Sequence, residues 1–138
     1  MAIDTAELRF STNGEAEILD ITAAVNGAVE EAAVGKAQAL VFVLGSTAAI
    51  TTMEFEPGAV HDLREMFERL IPAKAEYEHN RLNHDTNSHA HQRASLVGAS
   101  ETLPVIDRRL ALGTWQQLVL IDFDDRPRER SVVVSVLS

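Results

Sequence analysis

Two short apolar runs constrain this chain most: ALVFVLG at 39–45 and VVVSVL at 132–137. Each has the length of a strand, is rich in β-branched residues, and lacks the three-to-four-residue polar spacing of a surface helix. A run apolar at successive positions suits a strand covered on both faces. The first is therefore expected as a buried central strand. The second is expected as a strand covered on both sides or placed in an oligomer interface. The fold must supply layers to cover them.

Neighbouring patterns give the rest of the outline. Two β-like segments lie within 6–19 around Asn13-Gly14, a pair that favours a hairpin turn. Asp20-Ile-Thr opens a helix capped by Asp20 or Thr22, with Ile21, Val25 and Val29 as its stripe and Gly35 as its end. STAAITTME follows a tight turn at Gly45-Ser46 as another strand. Pro57 suits the first turn of an amphipathic helix over 58–71, with Val60, Leu63, Phe67, Leu70 and Ile71 apolar and Pro72 closing it. Residues 73–93 read as a polar, histidine-bearing segment. After Gly98, TLPVI, QQLVLIDF and RSVVVSVL return to β. The expected fold is α+β: one domain over 1–138, a mostly antiparallel β-sandwich with two main helices.

Charge and composition narrow the function classes. A formal charge of −9 opposes general binding to nucleic acid or an anionic membrane. With no cysteine, any metal would be held by nitrogen and oxygen. MAIDTAELRF lacks the pattern of a secretory signal, and no apolar run approaches the roughly 20 residues of a membrane span, so a cytoplasmic protein is expected. RPRER at 126–130 and Arg108–Arg109 are cationic islands suited to one small anion such as a phosphate. The plainer alternative is that these arginines balance Asp122, Asp124, Asp125 and Glu129 on a solvated turn.

His79, His84, His89 and His91 crowd into thirteen positions, three of them within NHDTNSHAHQ at 83–92. In a strand, His89 and His91 would share a face. With Asp85 or Glu54 they suit a divalent metal, an acid–base pair, or simply a polar loop, and the spacing leaves all three open. Glu54 is either a site residue at a strand end or a cap of the following helix. Asp62, beside His61, is expected in that helix's first turn, where the dipole favours it. Trp115 is expected in the core or an interface, and Gln116 offers both donor and acceptor. Ser46 and Thr47 follow Gly45 in a turn able to nest an anion. No P-loop, G-x-G-x-x-G or G-x-S-x-G is present.

STAAITTMEFEP with His61-Asp62, YEHN at 77–80, NSHAH at 87–91, LVGAS at 96–100, LPV at 103–105, LALGTWQ at 110–116 and PRER at 127–130 together resemble the YjbQ family, the secondary thiamine-phosphate synthase family. The resemblance spans nearly the whole chain. It implies a β-sandwich fold and a homotrimer with sites at or near subunit interfaces. It also implies a weak or secondary activity coupling hydroxymethylpyrimidine pyrophosphate to thiazole phosphate with release of pyrophosphate. The implied catalytic residues are His79, His91, Glu54 and Asp85. A small phosphorylated ligand would be bound by Ser46, Thr47, Ser100, Trp115, Gln116, Arg128 and Arg130. A divalent metal, zinc or magnesium, would sit at His79 and His91, with His84 or His89 as substitutes. The alternative is a non-catalytic trimer binding a metal or phosphorylated ligand. Two departures stand out: Gly45 occupies a place where the family often has histidine, and Arg108 one where glycine is usual.

Overall fold

A computed structural model describes residues 1–32 and 35–138. In chain order its elements are β1 (Ile3–Thr12), β2 (Glu17–Asp20), α1 (Thr22–Ala32), β3 (Ala37–Val43), β4 (Ala48–Met53), α2 (Pro57–Leu70), α3 (Glu78–Asn83), α4 (Ser88–Val97), β5 (Ser100–Ile106), β6 (Arg109–Leu110), β7 (Gln117–Asp122) and β8 (Arg128–Leu137). The strands form one five-stranded sheet in the order β1-β8-β3-β5-β6 and one three-stranded sheet in the order β2-β7-β4. All the pairings described are antiparallel. Two helices come from the expected stripes, α1 and α2, and two more come from a segment whose polarity concealed them.

The layers follow from alternation along the strands. Ala39, Val41 and Val43 of β3 and Val132, Val134 and Val136 of β8 point inward, meeting Ala48 and Ile50 of β4 and Leu118 and Leu120 of β7. Helix α1 closes this core with Ile21, Val25 and Val29. The other face of the small sheet carries Ala49, Val119, Ile121 and Phe123, covered by Phe67 of α2 and by Ala90 and Ala94 of α4. The small sheet is thus buried on both faces, and its central strand β7 reads as the continuous apolar run LVLI.

Three expectations change. ALVFVLG is central in its sheet but covered on one face only: Leu40 and Phe42 are 41% and 39% exposed on the outside. Burial of alternate positions is enough to hold an antiparallel strand, so an apolar outer row does not require a second layer. The Asn13-Gly14 turn joins no hairpin, because β1 pairs with β8 and β2 with β7. Gly14, Glu15 and Ala16 all have positive φ, and this left-handed run carries the chain from one sheet to the other. Asp62 lies beyond the first turn of α2 and faces His61 at 3.3 Å; the helix is capped by Glu56, which accepts from the Gly58 and Ala59 N–H groups.

Other boundaries agree with the local chemistry. The Asp20 carboxylate accepts from Thr22 N at the start of α1, while the expected end at Gly35 adjoins residues 33–34, outside the described residues. At the far end of α2, the buried Arg93 of α4 donates from Nε and Nη2 to the Ile71 carbonyl, and from Nη2 to Glu68. A cation there satisfies an orphan helix carbonyl and ties α4 to α2. Among the described residues, no helix is long and apolar enough to cross a membrane.

Candidate functional site

The antiparallel register brings the N-terminal end of β4 to the C-terminal end of β7, with Ala48 opposite Asp122. The loop leaving β7 and the first residues of β8 meet there, and a polar network fills the junction. Arg130, only 7% exposed, forks onto Asp122 through Nε and Nη2 at 2.7 and 2.8 Å, and Nη2 also donates to Thr47 Oγ1 at 2.6 Å. The Thr47 hydroxyl in turn donates a hydrogen bond to Asp124 Oδ2 at 3.0 Å, and Thr12 donates to Asp122. Arg128 Nε meets Asp124 Oδ2 at 3.0 Å. Arg126, more exposed, reaches Asp125 and Asp85. The RPRER arginines therefore balance neighbouring carboxylates, as the plainer sequence alternative held. The setting differs, because Asp122, Asp124 and Arg130 are buried rather than on a solvated turn.

Burial by itself would raise the carboxyl of Asp124, but the Asp125 N–H, the Thr47 hydroxyl, the Asn87 amide and the Arg128 guanidinium outweigh it and hold it down at about 2. A folded value below the unfolded 3.8 means that stability present above 3.8 is lost as pH falls towards 2. The expected loss from this one group is about 2 kcal/mol. Carboxyl carbon NMR should place the Asp124 midpoint well below those of exposed aspartates; a midpoint near 4 would contradict the network described.

The histidines meet this network through Asn87. Asn87 Nδ2 points to Asp124 Oδ1 at 3.4 Å, which leaves Oδ1 to accept from His79 Nε2 at 3.1 Å. That direction assigns the His79 proton to Nε2 and its lone pair to Nδ1, beside Asn83 Nδ2 at 3.5 Å. His91 lies against His79 with ring centroids 4.7 Å apart, and Asp85 Oδ2 is 3.8 Å from His79 Nε2. His79 comes from α3, His91 from α4 and Asp85 from the turn between them. This grouping was visible in the sequence only as crowding.

The remaining candidates lie elsewhere. His89 and His91 are on a helix, not a strand, so two residues of separation turn them about 200° apart. His89 is buried, its Nδ1 has no partner among the described residues, and burial, reinforced by Arg93, lowers its pKa. His84 is the exposed left-handed residue ending α3. Ser100 is exposed opposite Phe42, on the outer face of the large sheet.

Glu54, Trp115 and Gln116 sit at the other end of β4 and β7, where Met53 faces Gln117. Five residues of strand separate the two ends, about 17 Å. Trp115 is 74% exposed, so of the two expected placements, core or interface, the core is excluded. Gln116 accepts from Gly113 N and donates to Thr52 Oγ1. Glu54 is exposed and does not cap α2. Among the described residues, no three histidine or acidic side chains converge as a metal site. The pair His79 and His91 with Asp85 supplies suitable donor types but not a closed set.

Fold and site define a small antiparallel sandwich with a histidine–carboxylate–arginine network at one end. The chain belongs to the YjbQ-like UPF0047 family, whose model matches residues 6–138. A UPF0047 protein of Methanothermobacter thermautotrophicus is 38% identical over 136 residues, covering 99% of this chain and 93% of the relative. One from Archaeoglobus fulgidus is 40% identical over 131 residues, covering 95% and 99%. The crystal structure of a YbjQ-like protein from Sulfolobus solfataricus matches with a TM-score of 0.89 at 30% identity, covering 99% of each chain. A hypothetical protein from Aeropyrum pernix gives 0.90 at 31%, covering 98% of each.

Proposed function

We propose that this chain carries a weak thiamine-phosphate synthase-type activity, joining the exocyclic methylene carbon of hydroxymethylpyrimidine pyrophosphate to the ring nitrogen of thiazole phosphate. The observation that carries the reading is the His79–His91 pair, half-exposed and linked through Asn87 to the buried Asp124–Thr47–Arg130 network. In such a reaction the carbon–oxygen bond to pyrophosphate breaks with its electron pair leaving on oxygen, and the thiazole nitrogen closes on the resulting cation. The protein's part is to hold both reactants and stabilise the departing charge. His91 and His79 serve that oxygen in one of two ways, by donating a proton when protonated or, when neutral, through a metal ion that they hold. Asp85 and Asn87 orient His79, and Arg128, paired with Asp124 on the exposed side of the network, is the guanidinium we assign to the pyrophosphate. A divalent ion, zinc or magnesium, would neutralise pyrophosphate charge, and His79 and His91 are the residues that would hold it; water, substrate oxygens or another copy must complete its shell.

We further propose that the working unit is a homotrimer. Within one chain, Trp115, Gln116 and Glu54 are too far from His79 to touch the same small ligand. A head-to-tail ring would bring this end of one copy to the histidine end of the next. The exposed Trp115, Leu40, Phe42 and Leu44 offer apolar surface for such contacts.

Product formation from the two phosphorylated heterocycles, assayed for wild type, His79→Ala and His91→Ala, tests the synthase reading. Each variant is expected to lose at least tenfold in kcat/KM, while far-ultraviolet dichroism stays unchanged. Full activity in both would remove the histidines from catalysis. The second reading, a ligand-binding trimer without turnover, is favoured by the mutual neutralisation of Arg126, Arg128 and Arg130 with Asp85, Asp122, Asp124 and Asp125. It wins if the trimer binds metal or pyrophosphate and no product forms.

A further inference from the structure

We propose that the turn Gly45-Ser46 and the free edge of Arg130 form a subsite for one oxygen of a phosphoryl or pyrophosphoryl group, and that Gly45 is the residue deciding access to it. The proposal rests on the site being one for phosphorylated ligands, and it assigns a specific donor and a specific gate.

Arg130 is more than nine-tenths buried, yet only part of its guanidinium is satisfied within the chain. Nε and Nη2 are engaged by Asp122 and Thr47, whereas Nη1 makes no hydrogen bond among the described residues. Nη1 therefore keeps donor capacity that no group among the described residues uses and that water or an oxygen from outside the chain can take up. Nη1 is not sealed in: among the described residues, the fully enclosed side-chain atom without a partner is His89 Nδ1.

Gly45 explains where Nη1 looks. A Cβ on Gly45 would stand 2.7 Å from Nη1, and the other heavy atom near that point is Arg130 Cζ at 3.8 Å. Apart from the guanidinium, the space above the glycine is open. Gly45 has φ +128° and is exposed, as is Ser46. The N–H groups of Gly45 and Ser46 also have no backbone acceptor among the described residues. One charged donor beside unclaimed backbone N–H groups suits a phosphoryl oxygen. Because Asp122 and Asp124 neutralise Arg130 and Arg128, the subsite holds its oxygen by hydrogen bonds rather than by net charge. That favours a ligand which must leave again over a permanently held anion. Any β-carbon at position 45 would either cover Nη1 or push the guanidinium from Asp122.

The test is calorimetric titration of the full-length chain with inorganic pyrophosphate and with inorganic phosphate, in chelator-treated buffer. Arginine side-chain nitrogen NMR is recorded alongside. Pyrophosphate is expected to shift the Arg130 guanidinium signals and slow exchange of its Nη1 protons. Gly45→Ala should weaken binding at least tenfold. Acetate should leave the signals in place. If Gly45→Ala fails to fold, the wild-type spectra still decide. Unchanged Arg130 signals at saturating pyrophosphate, or a folded Gly45→Ala binding with wild-type Kd, would overturn the proposal. Gly45-dependent pyrophosphate binding without any product keeps the subsite and removes the synthase reading. Turnover with KM indifferent to Gly45→Ala does the reverse.

Discussion

Gly14→Ala is expected to destabilise the protein by about 3–5 kcal/mol, lowering its thermal midpoint by roughly 10 °C or more. Gly14 has φ +78°, a left-handed conformation that costs an L-residue about 1–2 kcal/mol. The larger part is steric. A Cβ there would strike the carbonyl oxygens of Asp124 and Arg126, the latter at 2.8 Å, and approach Arg126 N at 3.2 Å. These are backbone atoms and cannot rotate away. The neighbouring Glu15 N donates to Asp124 O at 2.7 Å, so the turn and the 124–126 loop are locked together. The substitution should therefore also loosen the Asp124 network and speed exchange of the Glu15 amide. A midpoint within about 2 °C of wild type would show that the turn can move off the loop.

Arg130→Ala is the second large effect. It leaves Asp122 buried, with its Thr12 and Asp124 N–H donors but no counter-charge. Breaking a buried, forked ion pair from one side costs about 3–5 kcal/mol, much of it the isolated charge that remains. The double variant Asp122→Leu/Arg130→Met is expected to recover a large share of that loss in urea unfolding, because both charges are then gone. Equal midpoints for the single and double variants would mean that Asp122 finds water when Arg130 leaves. The double variant should still bind no pyrophosphate at position 45, which separates the arginine's structural role from its proposed ligand role.

Much of the sandwich was readable locally. Alternating or continuous apolar runs mark β3, β5, β7 and β8, and the three-to-four-residue stripe from Val60 to Ile71 marks α2, since these periods reflect geometry within each element. What failed was pairing and coverage. Asn13-Gly14 supports a hairpin in isolation, but Gly14 packs on a loop more than a hundred residues away and sends β2 into the other sheet. Helix α4 was hidden because Ser88, His89 and Arg93 are buried polar residues, so its inward face does not read as apolar.

The candidate site divides the same way. Residue types and crowding sufficed to nominate His79, His91, Asp85 and the arginines, because imidazole, carboxylate and guanidinium chemistry travels with the side chain. Only the tertiary structure decided that Asn87 joins His79 to Asp124, that Arg130 is clamped by Asp122 and Thr47, and that Glu54, Trp115 and Gln116 stand at the opposite end. The physical reason is register. The amino acids set what each group can donate or accept, while the pairing of β4 with β7 sets which groups lie within hydrogen-bonding distance, and that pairing is a long-range choice no local pattern contains.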